Sequence, residues 1–306
     1  MTLLNRILLL LRGEVPGRLR YVPAAEAERA QARATAAQRR LAARRQVVDH
    51  LLRTVAFSPW RDHLVLRGSV LLREWLGDAA RDPGDVDWAV VPETLSAREP
   101  PGELLVDGLV EAGPPQRRSG EPLVRWDQVR VERTWVYSDS PGLRATFPWQ
   151  HGDVFGGDLF GAEQMDFSFG DTFLIPPVEA DVPTGDGGSV RLLTATWEQS
   201  LLWKLKWLDA DDEPRAKDLY DATLLAEALA ARGTPVPAEL VCRALSNPPA
   251  GALLWRTRGM MANVAAEVDW LRFRRENPHV VGGAREWQDR LVRAMSASFG
   301  DGARGA

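Results

Sequence analysis

Asp85 and Asp87 stand one residue apart at the head of an apolar run, Asp85-Val86-Asp87-Trp88-Ala89-Val90-Val91. On a strand, residues i and i+2 project to the same face, so both carboxylates would point at one spot. Two like charges beside apolar neighbours are costly unless a cation or a shared proton offsets them. A divalent magnesium held by carboxylates and by a substrate's phosphates is the simplest resolution. Asp166, in the alternating segment Met165-Asp166-Phe167-Ser168-Phe169, offers a third acid. Delivered from a neighbouring strand, it would complete a site for one or two metals suited to in-line displacement at phosphorus. Without that company, an Asp-x-Asp pair is a common surface turn.

The elements that must position these acids read as strand, turn, helix, loop, strand. His63-Leu64-Val65-Leu66-Arg67 is short and apolar, and Gly68-Ser69 punctuates it. Val70 to Leu76 has helical spacing, Gly77 suits a helix end, and Asp82-Pro83-Gly84 is a turn signal before Asp85. Val91 to Ala112 reads as a loop and then a helix, and Leu123 to Tyr137 alternates like paired strands. Pro148 to Ala162, rich in glycine and aromatics, reads as a loop, either mobile over the site or a plain connector. Asp181 to Ser189 is a turn whose Gly185-Asp186-Gly187-Gly188 lacks the pattern of a dinucleotide or Walker loop. From Thr196 to about Phe299 the pattern is helical, broken near Asp209–Pro214, Gly233–Pro237, Asn247–Gly251 and Asn277–Gly283. The tail Gly300–Ala306 should fray.

A second constellation lies in that helical part. Trp197 to Leu208 suits a helix that carries Lys204, and after an acidic loop Pro214 is expected at the first position of the next helix. There Asp218 and Asp221 share a face, which calls for a nearby cation: Arg215, Lys217 or Lys204. Only three of the 38 basic residues are lysine, at 204, 206 and 217, all within one short stretch. Lysine is a compact point charge and arginine a planar fork, so the choice has chemical content. A functional Lys204 flanked by Lys206 is one reading, and an ordinary salt-bridged helix pair is the other.

The bulk numbers fit a soluble globular protein of one large or two modest domains: 306 residues, 45% hydrophobic, 26% charged, 12 Trp. A net charge of −4 argues against coating nucleic acid through the overall field, though not against a local basic face. Such a face is offered by the helical pattern from Pro23 to Val55. Between Arg18 and Arg53 nine arginines, including Arg29, Arg33, Arg39, Arg40, Arg44 and Arg45, oppose Glu26, Glu28 and Asp49, a local balance of +6. This is either a phosphate-contacting face or a solvated one. A single cysteine, Cys242, excludes an internal disulfide framework and points to a reducing cytoplasm. The histidines at 50, 63, 151 and 279 show no metal-ligand spacing. Leu3 to Leu11 is too short to span a membrane and lacks a basic region ahead of it, so an amphipathic helix is expected rather than a signal peptide.

In order, Leu66-Arg67-Gly68-Ser69, Arg81, Asp85-Val86-Asp87, Asp166, Lys204 and Arg215-Ala216-Lys217-Asp218-Leu219-Tyr220-Asp221 resemble the AbiEii-type nucleotidyltransferase toxin family, from about Ala37 to Leu229. That family belongs to the polymerase-beta-like nucleotidyltransferase superfamily and has MenT-like members. The resemblance implies that Gly68, Ser69 and Arg81 bind a nucleoside triphosphate and that Asp85, Asp87 and Asp166 hold Mg2+ or Mn2+. It also implies that Lys204 contacts the phosphates or the reacting centre and that Asp218 completes the catalytic set. The sequence departs from the family pattern at Pro83, where Ser or Thr is frequent, and at Trp88, where a smaller residue is usual. The resemblance assigns no motif to residues 94–160 or to those after about Gly233, so acceptor specificity does not carry over with it.

The expected fold is α/β: a polymerase-beta-like core with a mixed sheet at 57–192, an N-terminal helical segment at 1–56 and a helical C-terminal domain at 193–306. By resemblance, the function is metal-dependent transfer of a nucleotide from a nucleoside triphosphate to RNA, with transfer RNA as the acceptor class. A toxin–antitoxin or phage-defence role, a cognate antitoxin and a cytoplasmic location away from membranes go with it. Alternatives are a small-molecule or protein acceptor, or a catalytically silent binding module.

Overall fold

The computed structural model describes residues 24–97, 100–112, 121–136, 140–152, 158–210, 213–245 and 264–299. The chain divides into two compact units, Met1–Ala43 and Arg44–Ala306. Of the first, the described part is the start of helix α1 (Ala24–Phe57), built from Ala, Arg, Gln and Leu, all good helix formers. The stretch Leu3 to Leu11, the break at 247–251 and the tail from Gly300 lie outside the described residues.

The second unit is organised by a mixed eight-stranded sheet. Its strands are β1 (Leu64–Arg67), β2 (Val86–Val90), β3 (Leu123–Val124), β4 (Arg130–Val136), β5 (Ser140–Gly152), β6 (Asp158–Ser168), β7 (Val178–Pro183) and β8 (Ser189–Thr194). The order is β3-β5-β6-β2-β1-β8-β7, with β4 also on β5. β1 is covered on both faces, which is why it reads as a continuous apolar run. Leu64, Val65 and Leu66 have no exposed surface, and each contributes about 1.5–3 kcal/mol by burial. After β1 the chain turns at Gly68, whose φ of +77° favours glycine, into helix α2 (Ser69–Leu76). Helix α3 (Pro100–Glu111) follows the loop after β2.

Two expectations change here. Pro148 to Ala162 is not a loop over its full length: β5 and β6 pair from Gly142↔Ser168 through Pro148↔Ala162 to Gly152↔Asp158. The glycine and aromatic content serves cross-strand packing, since a Cβ on Gly161 would stand 2.2 Å from the Trp149 ring. The segment from Leu123 does form two strands, β3 and β4, but both pair with β5 rather than with each other. The turn before Ser189 is a β7–β8 hairpin, as its glycines suggest.

The helical half comprises α4 (Trp197–Ala210), α5 (Ala216–Ala231), α6 (Ala238–Ala244), α7 (Trp270–Glu276) and α8 (Ala284–Phe299). Pro214 precedes α5 instead of opening it; Arg215 is the extended N-cap residue. Leu219, Ala222, Leu225, Ala226 and Leu229 of α5 share one core with Leu72 and Ala80 from the sheet side. Trp75 stacks on Trp197 with ring centroids 4.6 Å apart, and the Tyr220 hydroxyl donates to the Ala79 carbonyl. These contacts fix α4 and α5 against the turns that carry Gly68 and Asp85. Among the described residues no helix is long and apolar enough to cross a membrane.

Candidate active site

Strand register, rather than any one motif, assembles the site. Arg67 on β1 faces Asp87 on β2, Asp87 faces Asp166 on β6, and Asp166 faces Arg144 on β5. Directly opposed residues put their side chains on the same face. The result is a row of four charges across four neighbouring strands: cation, anion, anion, cation. Asp85, just ahead of β2, joins the two central acids. One carboxylate oxygen from each of Asp85, Asp87 and Asp166 lies within 4.8 Å of the others.

Three carboxylates at that spacing are hard oxygen donors of the kind that suit Mg2+ or Mn2+. Their electrostatics agree with that fit. Burial first, and then the neighbouring charge of Asp85, push the Asp87 carboxyl up to about 6, against the opposing pull of Arg67 and Lys217. A divalent cation would relieve that crowding. The close approach of the backbone to Asp87 leaves no room for a side chain at residue 68. A Cβ there would stand 2.2 Å from Asp87 Oδ2.

The loop carrying Asp85 is held by Arg44 from α1. Its Nη1 and Nη2 donate to the carbonyls of Pro83 and Gly84 at 2.5 and 2.7 Å, while its Nε lies 2.8 Å from both oxygens of Glu163. Glu163 is buried and sits three residues before Asp166 on β6. One guanidinium therefore ties together the two backbone segments that carry Asp85 and Asp166. It also supplies hydrogen bonds to a loop whose Pro83 has no backbone N–H to donate. Trp88, next to the acids in sequence, points to the other face and is fully buried.

The acids open into a cleft of about 300 Å³ lined by Arg67, Gly68, Arg81, Asp85, Asp87, Thr134, Arg144, Asp166, Lys204, Trp207, Arg215 and Lys217. Six of these residues are cationic, an excess of positive charge that suits a polyanion. Arg67 is held by Asp171 at 3.2 Å, with its guanidinium carbon 5.2 and 5.3 Å from the Trp203 and Trp207 rings. Lys204 Nζ lies 2.6 Å from Asp218 and 2.9 Å from Asp221, and Arg81 reaches Asp221 at 3.1 Å. Burial alone would raise the Asp221 carboxyl, but Arg81 and Lys204 outweigh it and hold the group below its ordinary value.

Of the residues singled out in the sequence, Gly68, Arg81, Asp85, Asp87, Asp166 and Lys204 meet in this cleft. Asp218 stands behind it, buried against Lys204. Ser69 is buried at the start of α2, and its hydroxyl has no hydrogen-bond partner among the described residues. Of the cations expected near the Asp218–Asp221 pair, Lys204 bonds both acids, and Arg81 joins it on Asp221. Arg144, Thr134 and Trp207 are additions. Arg144 had one sequence signal, an arginine between the buried Leu143 and Ala145, but its partner depends on β5–β6 register.

The arginines of α1 are partly committed to the body: Arg44 to Glu163, Arg45 to Asp82 at 3.2 Å and Arg53 to Asp186 at 2.9 Å. Arg39 and Arg40 are exposed. Residues 50–290 of the chain match the model of the family described as nucleotidyl transferase AbiEii toxin, type IV TA system. No curated protein and no solved structure matches the chain.

Proposed function

This chain belongs to the AbiEii nucleotidyl transferase toxin family, and on that premise we propose that it transfers a nucleotide from a nucleoside triphosphate to an RNA acceptor. Transfer RNA is the acceptor class, and the chain acts as the toxin of a toxin–antitoxin or phage-defence pair. The observation that carries this reading is the convergence of Asp85, Asp87 and Asp166 at the floor of a cation-lined cleft.

The acceptor hydroxyl oxygen attacks the α-phosphorus, and a new P–O bond forms as the bond to the bridging oxygen breaks. Pyrophosphate leaves, and the hydroxyl proton passes to a carboxylate of the cluster. Magnesium or manganese held by Asp85, Asp87 and Asp166 supplies Lewis acidity and neutralises phosphate charge. The chain's own groups do the rest. The start of α2 after Gly68 offers backbone amides to the triphosphate, as helix N-termini do for anions. Arg81 and Lys204, fixed by Asp218 and Asp221, offset charge on the phosphates without having to reorganise. Arg215 and Lys217 extend that field along the cleft wall.

One observation favours a second reading of the acceptor. Because Arg44, Arg45 and Arg53 are paired within the body, less of the α1 charge is available to a phosphate backbone. A small-molecule or protein acceptor would need none of it. The test is to incubate the purified chain with Mg2+, each α-labelled triphosphate in turn, and total RNA, purified transfer RNA or cell extract. Label in transfer RNA supports the proposal. Label confined to protein or small molecules replaces the acceptor. No label in any fraction, with melts unmoved by nucleotide and metal, leaves only a binding module.

A further inference from the structure

In the row of four charges, the cation on β5 is held by the outer of the two central acids. Arg144 Nε and Nη2 donate to the two oxygens of Asp166 at 2.7 and 2.5 Å, a fork-on-fork pair. Its side chain keeps 34% of its surface exposed, whereas Asp166 keeps 11%. Two other cations near the acids, Lys204 and Arg67, are fastened more deeply. Lys204 is buried between two acids, and Arg67 lies against two indole rings and Asp171. Arg144 thus combines contact with a metal-donor oxygen and the solvent-side freedom to leave it.

We propose that Arg144 is a resident counter-cation for Asp166 that yields to the divalent ion and then binds the triphosphate. This rests on the nucleotidyltransferase reading and names one more residue of that site. The argument is electrostatic and geometric. A guanidinium engaging both oxygens of Asp166 faces a divalent ion on the same carboxylate across only a few ångströms, and cation–cation repulsion at such a distance is large. The two therefore compete for Asp166. Once displaced, a planar five-donor fork at the lip of a cleft built for a polyanion matches phosphate oxygens better than any lysine could. Without Arg144, the ion-free cleft would hold three crowded carboxylates with one fewer compensating charge. In exchange, metal would bind without a competitor.

The test uses the full chain and Arg144→Met, which keeps the apolar stem and removes the charge, with thermal melts confirming that the variant folds. Mn2+ binding without nucleotide is followed by electron paramagnetic resonance. Binding of a non-hydrolysable triphosphate with Mn2+ is followed by calorimetry. The expected result is Mn2+ affinity raised roughly tenfold in the variant and metal–triphosphate affinity lowered by a similar factor. Arg144→Lys should recover part of the Mn2+ competition but not the triphosphate affinity. Asp87→Asn in the wild-type background separates the two levels. If the wild type shows no Asp87-dependent Mn2+ binding, the nucleotidyltransferase reading fails and takes Arg144 with it. If such binding exists but neither Arg144 variant changes it, the counter-cation role alone is overturned.

Discussion

Lys204 and Asp218 meet at 2.6 Å with side chains only 5% and 2% exposed, so each is the other's replacement for water. Burial by itself would lower the lysine, but Asp218 and Asp221 outweigh it and hold the ammonium above its ordinary value. Its contribution to stability is therefore complete below the unfolded pKa of 10.5 and is lost only as pH rises through the higher folded value. Breaking such a pair leaves an uncompensated buried charge. Lys204→Met should lower unfolding free energy by about 3–5 kcal/mol at pH 7 in chemical denaturation. A change below about 1 kcal/mol would show that the lysine serves substrate and not the fold.

Gly68→Ala should disable the site while leaving most of the fold intact. The new methyl would meet Asp87 Oδ2 at 2.2 Å in a backbone conformation with φ of +77°. Strain of about 1–3 kcal/mol is expected from the conformation alone. Displacement of Asp87 should abolish Mn2+ binding. Normal Mn2+ affinity in the folded variant would contradict the close approach described here.

Arg44 is a positioning residue, and its replacement should act through Asp85 and Asp166. Arg44→Ala removes the guanidinium contact to both oxygens of the buried Glu163 and frees the Pro83 and Gly84 carbonyls. A cost of about 3 kcal/mol is expected. Lysine should not rescue it, because three directions must be served by one planar fork. A double-mutant cycle with Glu163→Gln should give coupling above about 1 kcal/mol. Additive effects would show that the two side chains act independently.

Asp87→Asn should stabilise the metal-free protein while destroying activity. The Asp87 carboxyl rises to about 6 in the folded chain from 3.8. The folded state therefore binds more protons between those values, and the stability contributed by this group falls as pH rises from about 4 to 6. In chelator, the asparagine variant should gain on the order of 2 kcal/mol over wild type at pH 7 and little at pH 4. Equal melts at both pH values would mean that the acids are not crowded.

Much of this was readable from residue order. The apolar runs of β1 and β2, the turn at Gly68 and the helix carrying Lys204 follow from local pattern. Asp85 and Asp87 were visible because both lie in one short segment. The Arg67–Asp87–Asp166–Arg144 row was not, since it depends on registers between strands far apart in sequence. The same holds for Arg44, whose reading as a surface charge is altered by Glu163 more than a hundred residues away. In the β5–β6 hairpin, glycine and aromatics imitate a loop because Gly161 packs beneath Trp149, a cross-strand fact.

The most direct measurement is label transfer from α-labelled triphosphate to RNA by wild type and by Asp85→Asn/Asp87→Asn, each checked for a cooperative melt. The wild type should transfer only with a divalent ion present, and the folded double variant should lose at least about a hundredfold in rate. Undiminished transfer by that variant would mean that chemistry happens somewhere other than at these three acids.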